Sequence, residues 1–309
     1  MDAPRQMYGL PRIVKHVRSW RLVAVLLLGA PALAQPALVL YPVVREPYDR
    51  IYRDTIEGIT QTYAPAPRVV PVVSDRALSP DVLGGGEVRV AVALGNQAAM
   101  KLHQLDSTIP IITTATGDLP FQHSHQLAYF PAPEVLLEQV RRFDARIRRV
   151  KLVSTTQTAE YQTRVQRALA QAGIELDACS ADSLKQAADC YRALLAEVKA
   201  GDALWLLHGG KLLEPSLLSF ILDIAWRNHL TVFSSNPTHV RRGALFAIYP
   251  DNQAAGRQLG QLLHACLESC DRVPRINYLR EMKVVLNQRT SSHLGLDVAP
   301  EARQGVDLL

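Results

Sequence analysis

The stretch DALWLLHGGKLLEPSLLSFILDIAWRNHLTVFSS, Asp202 to Ser235, decides the fold class. DALWLL (202–207) is an apolar run of strand length after one acid. EPSLLSFILDIAWRNH (214–229) has the length and composition of a helix, with Pro215 at its start, where a missing N–H costs nothing. LTVFSS (230–235) returns to β-branched and aromatic residues. Strand, helix and strand in succession make a crossover unit, which implies a parallel sheet. Between the first strand and the helix stand His208, Gly209, Gly210 and Lys211. Three readings stay open for them: an oxyanion-hole loop, a phosphate cradle, or a turn at the lip of a cleft.

The same alternation extends outward. Strands are expected at 36–44, 68–73, 87–94, 109–116, 126–130, 148–154, 174–179, 244–249 and 281–287. Helices are expected at 47–63, 95–105, 133–143, 159–173, 183–201 and 252–269, with a short one ending at Leu294. Gly173 and Gly201 close two of them, and Pro71 puts 68–73 at a sheet edge. The total exceeds one ordinary doubly wound sheet. The Pro-rich bend FPAP (130–133) divides it, so the expected architecture is α/β with two lobes and a cleft between them. The first lobe is expected to take 35–124 with 240–275, the second 125–239 with 276–309.

The formal charge of +5 suggests an anionic partner until the N-terminus is read. Residues 1–21 hold five basic side chains and one acid; LVAVLLLGAPALA follows, ending in Ala32-Leu33-Ala34. That is the pattern of a cleavable signal peptide over 1–34, and its apolar run is short for a membrane span. Without it the chain has 29 Lys+Arg against 28 Asp+Glu, and the argument for nucleic acid disappears. No Cys follows the cleavage point, which argues against a lipid anchor. An exported, periplasmic protein is expected, and a monomer. The four cysteines all lie beyond the leader, where disulfides are permitted. Cys179 with Cys190 would close a strand–helix corner; Cys266 with Cys270 needs some distortion. Unpaired buried thiols are the alternative. The cysteines have no His pair at ligand spacing, so no zinc site and no cofactor is expected. His123-Ser124-His125 could be half a metal site, but sequence places no carboxylate beside it, and a surface loop is the plainer reading.

In parallel α/β sheets ligands bind beyond the carboxyl ends of the strands. Those loops here are YPVVREP (41–47), LGNQAA (94–99), TTATGDLP (113–120), STTQTAEY (154–161), HGGK (208–211), SSNPTH (234–239) and YPDNQ (249–253). Small hydroxyls, amides and helix starts can hold a carboxylate or another anion; each is also an ordinary helix cap. Catalytic patterns are missing. There is no G-x-S-x-G elbow, no P-loop around Gly210-Lys211 and no G-x-G-x-x-G after a strand. Asp118, Asp223 and Asp251 form no carboxylate pair in sequence. No enzyme is expected.

Three stretches resemble the type 1 periplasmic binding proteins, specifically the ABC-transporter substrate-binding group related to tryptophan and aromatic amino-acid binders. They are VRVAVALGNQAAMKLHQLDSTIPIITTATGDLP (88–120), GDALWLLHGGKLLEPSLLSFILDIAWRNHLTVFSS (201–235) and GALFAIYPDNQAAGRQLGQLLHACLES (243–269); the last, with Gly256, Arg257 and Gln258, is the most specific. KVVLNQRTSSHLGLDVAPE (283–301) also fits. The resemblance implies two Rossmann-like lobes closing on a small molecule. It places Val44, Asn96, Gln97, Thr114 and Thr116 on one wall. Ser154, Thr155, Thr156, His208, Lys211, Ser235 and Asn236 would form the other, with Tyr249 and Asp251 near the hinge. It also implies delivery to an ABC permease. Two departures bear on the ligand. Asn96-Gln97 replaces the family's Thr-Pro, and His208-Gly209-Gly210-Lys211 stands where relatives often carry an acid. A carboxylate or other neutral or anionic ligand then fits better than an α-amino acid. A sensor or accessory subunit for a receptor kinase or outer-membrane transporter would use the same cleft. An exported hydrolase built on His208 is the remaining alternative.

Overall fold

The strands divide between two sheets, each with apolar side chains on both faces. The computed structural model describes residues 36–105, 108–116, 124–207 and 212–309. The leader and the HGGK turn, with His123, Asp118, His208 and Lys211, lie outside the described residues.

The first half contains β1 (Ala37–Pro42), α1 (Asp49–Thr62), β2 (Arg68–Val72), β3 (Val90–Leu94), α2 (Gly95–His103), β4 (Ile111–Thr114) and β5 (His125–Pro131). The second begins with α3 (Pro133–Phe143), β6 (Arg149–Ser154), α4 (Ala159–Gln171), β7 (Glu175–Ser180), α5 (Leu184–Ala196) and β8 (Asp202–Leu206). It continues through α6 (Pro215–Arg227), β9 (Thr231–Ser234), α7 (Pro237–Arg241) and β10 (Phe246–Pro250). The chain ends with α8 (Asn252–Ser269), β11 (Ile276–Leu279), β12 (Met282–Leu286), α9 (Gln288–His293) and β13 (Asp307–Leu308).

One sheet has the order β11-β5-β4-β3-β1-β2 and is parallel throughout. The other has the order β13-β12-β10-β9-β8-β6-β7, with only β10 and β12 antiparallel. Strand periodicity accounts for the layers. In β1, Ala37 and Val39 face one core while Leu38 and Leu40 face another. In β8, Ala203 and Trp205 face one core and Leu204 and Leu206 the opposite one. A run apolar at every position has to be covered on both sides, and the helices cover it. β2, with Pro71, pairs with β1 alone at the edge, where a lost ladder donor is harmless.

The sheets place the lobe boundaries differently from the sequence expectation. β5 was expected to open the second lobe, but Ile112 pairs with His125 and extends the first sheet. β10 was expected in the first lobe; it pairs with β9 and β12 in the second sheet. β11 was expected in the second lobe and pairs with β5 in the first sheet. The FPAP bend therefore ends a strand of the first lobe. Crossovers fall at 131–133, 250–252 and 279–282.

Helix α8 returns to the first lobe and packs on α1 at very close range. A Cβ on Gly256 would strike the Thr55 carbonyl, and one on Gly58 would strike the Gln253 carbonyl. The two helices can approach this far only because both carry glycine there. Disulfides join Cys179 to Cys190, between β7 and α5, and Cys266 to Cys270 at the end of α8.

Candidate functional site

The crossovers decide which strand ends face each other. The first leaves the carboxyl end of β5, and the second leaves the carboxyl end of β10. The third leaves the carboxyl end of β11 and enters β12, whose start lies beside the end of β10 because those two strands are antiparallel. All three connections thus join the carboxyl edge of one sheet to the carboxyl edge of the other. The loops after β1, β3 and β4 stand at one of these edges, the first wall, and those after β6 and β9 at the other, the second wall.

On the first wall Gly95 takes φ +81° and turns β3 sharply into α2, close beneath the Tyr52 hydroxyl. Its left-handed backbone is what glycine supplies here. The N-terminus of α2 has no side-chain cap, so its first amides stay available. Asn96 is exposed there, whereas Gln97 donates to Ser74 Oγ at 2.9 Å. Thr114 is buried and gives its hydroxyl to the Leu127 carbonyl at 2.8 Å, a bond within the sheet. Ala115 bends the chain with φ +49°, and Thr116 Oγ1 accepts from Gln126 at 3.4 Å. Val44 is half-buried beyond β1, beside the exposed Val43 and Tyr48.

On the second wall most expected residues are committed to local structure. Ser154 is buried and donates to Gln162 Oε1 at 2.6 Å. Thr155 forms a capping box with Thr158. Thr156 holds Asp182 through its amide and hydroxyl, at 3.0 and 3.1 Å. Asn236 caps α7 by accepting from the Thr238 amide at 3.0 Å. Ser235 differs: its Oγ is buried with no hydrogen-bond partner among the described residues. An unmatched buried hydroxyl costs free energy, which sets Ser235 apart from the other strand-end hydroxyls.

At the hinge Tyr249 donates to Asp307 at 3.4 Å, and Asp251 caps α8 through the Gln253 and Ala254 amides at 3.0 and 3.2 Å. Sequence reading missed the residues that pack around the crossovers. Tyr161 of the second lobe donates to the Pro131 carbonyl at 2.9 Å and stacks on Phe130 at 4.6 Å. Tyr129 donates to Asn252 at 2.9 Å. Gln258 spans the third crossover, donating to the Tyr278 carbonyl at 2.8 Å and accepting from the Arg280 amide at 3.2 Å. Burial pushes the Tyr129 phenol up to about 12 and the Tyr161 phenol well above its ordinary value. An open groove of about 590 Å³, with Arg164, Arg167 and Arg280 on its rim, lies beside these crossovers rather than at the strand ends.

Ser234 stands 2.8 Å from His239 Nδ1 but is fully buried, 3.2 Å from the Leu206 carbonyl, and accepts from the Asn236 amide at 3.0 Å. It is an internal strut with no open face for a substrate. Among the described residues no helix is long and apolar enough to cross a membrane.

No known family model matches the chain, and no curated protein sequence does. Solved structures do. A ligand-free, open substrate-binding protein with adhesive properties from Clostridium difficile superposes with a TM-score of 0.60 at 13% identity, covering 89% of this chain and 99% of that one. An ABC domain in complex with L-Trp from Streptococcus pneumonia gives 0.55 at 14% identity, covering 89% and 100%. A periplasmic ribose ABC transporter protein from Conexibacter woesei gives 0.51 at 12% identity, covering 82% and 92%. At these identities the likeness is one of fold, spanning both lobes. With its sheets, its three crossovers and these neighbours, the chain has the fold of the type 1 periplasmic binding proteins.

Proposed function

We propose that this protein is an exported solute-binding protein. It captures a small molecule between its lobes and hands it to an ABC permease. The reading rests above all on the three crossovers, which set the carboxyl edges of two parallel sheets against each other. Unfilled polar groups stand on both walls: the uncapped start of α2 and the Ser235 hydroxyl. A helix start favours negative charge. We therefore infer a carboxylate-bearing ligand, with lobe closure as the response to binding. Asn96, Thr116, Ser235 and Val44 are the described residues we assign to direct contact. The leader 1–34 supports export, and cleavage after Ala34 belongs to the same proposal.

The test is a thermal-shift screen of the purified protein against amino acids, mono- and dicarboxylates, and sugars. A ligand present at about a hundredfold its Kd stabilises by roughly 2.7 kcal/mol. Stabilisation by carboxylates and not by sugars is the expected result. If no compound in those classes raises the melting temperature, the transport reading fails. The sensor alternative shares the cleft and is separated by the partner, because co-purification with a permease and not with a kinase supports transport.

A further inference from the structure

Two sequence features without a role in the cleft meet on the far side of the first lobe. His125 opens β5, so it lies at the amino end of the first sheet, away from the carboxyl edge. Helix α8 ends there with Cys266 and Cys270. One ligand atom from each of His125, Cys266 and Cys270 lies within 4.8 Å of the others. His125 and Cys266 are buried, and Cys270 is half-buried. His125 Nδ1 lies 3.2 Å from the Pro274 carbonyl. A carbonyl only accepts, so Nδ1 carries the proton in this contact and Nε2 keeps its lone pair. Metal-bound histidines are commonly held in this way, with the distal ring nitrogen tied to a backbone carbonyl.

We propose that, once the Cys266–Cys270 disulfide is reduced, Cys266, Cys270 and His125 form a binding site for copper(I). Two thiolates and an imidazole are a soft donor set that selects Cu(I) over hard cations. Structural zinc sites take four protein ligands, and among the described residues this cluster offers three, a number that suits Cu(I). A dithiol reductant supplies the first step: it gives up two electrons and two protons and becomes a disulfide, while the protein S–S bond breaks into two thiols. Cu(I) then binds both sulfurs, and the two thiol protons leave to solvent. In the oxidised protein the sulfurs are bonded to each other and the site is closed to metal. The site would therefore respond to redox state. Its distance from the strand ends makes it independent of the proposed solute.

The experiment is an anaerobic Cu(I) titration of the purified protein, reduced with a phosphine, against a chromophoric Cu(I) chelator. One Cu(I) per chain is expected in the reduced protein and none in the oxidised one. The Cys266→Ser/Cys270→Ser variant should lose at least about a hundredfold in affinity, and His125→Ala about tenfold or more. Cys179→Ser/Cys190→Ser should bind as the parent does. X-ray absorption of the loaded parent should report two sulfurs and one nitrogen, which keeps the test decisive if a variant folds poorly. Equal Cu(I) binding by the parent and by the Cys266→Ser/Cys270→Ser variant, or a copper shell without nitrogen, overturns the proposal. Carboxylate binding should be unchanged by copper, so this result and that of the cleft reading stand apart.

Discussion

Two serines at strand ends of the second sheet show how position divides identical chemistry. Ser154 ends β6 with its hydroxyl donated to Gln162 at 2.6 Å, and Ser235 follows β9 with its Oγ unpartnered among the described residues. Removing the first hydroxyl leaves the half-buried Gln162 amide oxygen short of a donor. Ser154→Ala should therefore cost about 1 kcal/mol in denaturant unfolding. Removing the second abandons no bond, so Ser235→Ala should leave stability within about 0.5 kcal/mol. If Ser235 touches ligand, the same variant should weaken ligand binding by about tenfold, or about 1.4 kcal/mol. A stability loss in Ser235→Ala larger than that in Ser154→Ala, read from the two denaturation midpoints, would remove Ser235 from the site. Sequence alone could not separate them. Both are strand-end serines, and what distinguishes them is whether a partner eight residues away folds back, as Gln162 does.

At the scale of elements, hydrophobic pattern carried most of the reading. The runs that became β1, β3 and β8 are apolar at successive positions because helices cover both faces. Gly173 takes the left-handed backbone expected just past a helix end, whereas α5 already ends at Ala196 and Gly201 is left-handed in the turn before β8. What pattern could not supply was partnership. β11, INYL, is a mixed four-residue strand at a sheet edge, too short and polar to stand out. β5 and β10 were legible as strands, but their sheet depends on pairing with distant segments, so the lobe boundaries were misplaced. The metal-ligand cluster was hidden for the same reason, since His125 meets the cysteines only through the fold. Gly256 was legible as part of a motif, and the structure explains it: α1 and α8 touch backbone to backbone at Gly256 and Gly58. A methyl there must push two helices apart. Gly256→Ala should destabilise by about 3 kcal/mol, at the upper end of overpacking in a core, despite the better helix propensity of alanine. Thermal unfolding measures it. A neutral or stabilising result would mean that the helices have room to separate.

The described residues form two lobes joined by three strands of chain, and Tyr161 ties one lobe to the other. Tyr129 bonds Asn252 at the start of α8, within the first lobe beside the crossovers, and Tyr161 reaches from α4 to the Pro131 carbonyl. Gln258 does the equivalent at the third crossover with an amide, which has no proton to lose near neutrality. Because burial raises both phenols, Tyr129 to about 12, the folded protein holds these protons more tightly than the unfolded chain does. Below the unfolded value near 10, both states are protonated and the full stability is present. As pH rises above it, the unfolded chain releases the protons first, so stability falls by about 1.4 kcal/mol per pH unit for each such phenol. For Tyr129 the loss runs through the window from about 10 to about 12. Chemical denaturation repeated across that range should show the decline, with tyrosinate absorbance rising as the protein unfolds. Tyr129→Phe/Tyr161→Phe removes both ionisations. It should start less stable by the two lost hydrogen bonds, about 1 kcal/mol each, and should show a shallower alkaline slope. An unchanged slope would place the alkaline weakness elsewhere and leave the crossovers with no part in it. A shallower slope would show that these two phenols carry part of the alkaline loss, beside other buried tyrosines such as Tyr191, whose phenol burial also raises.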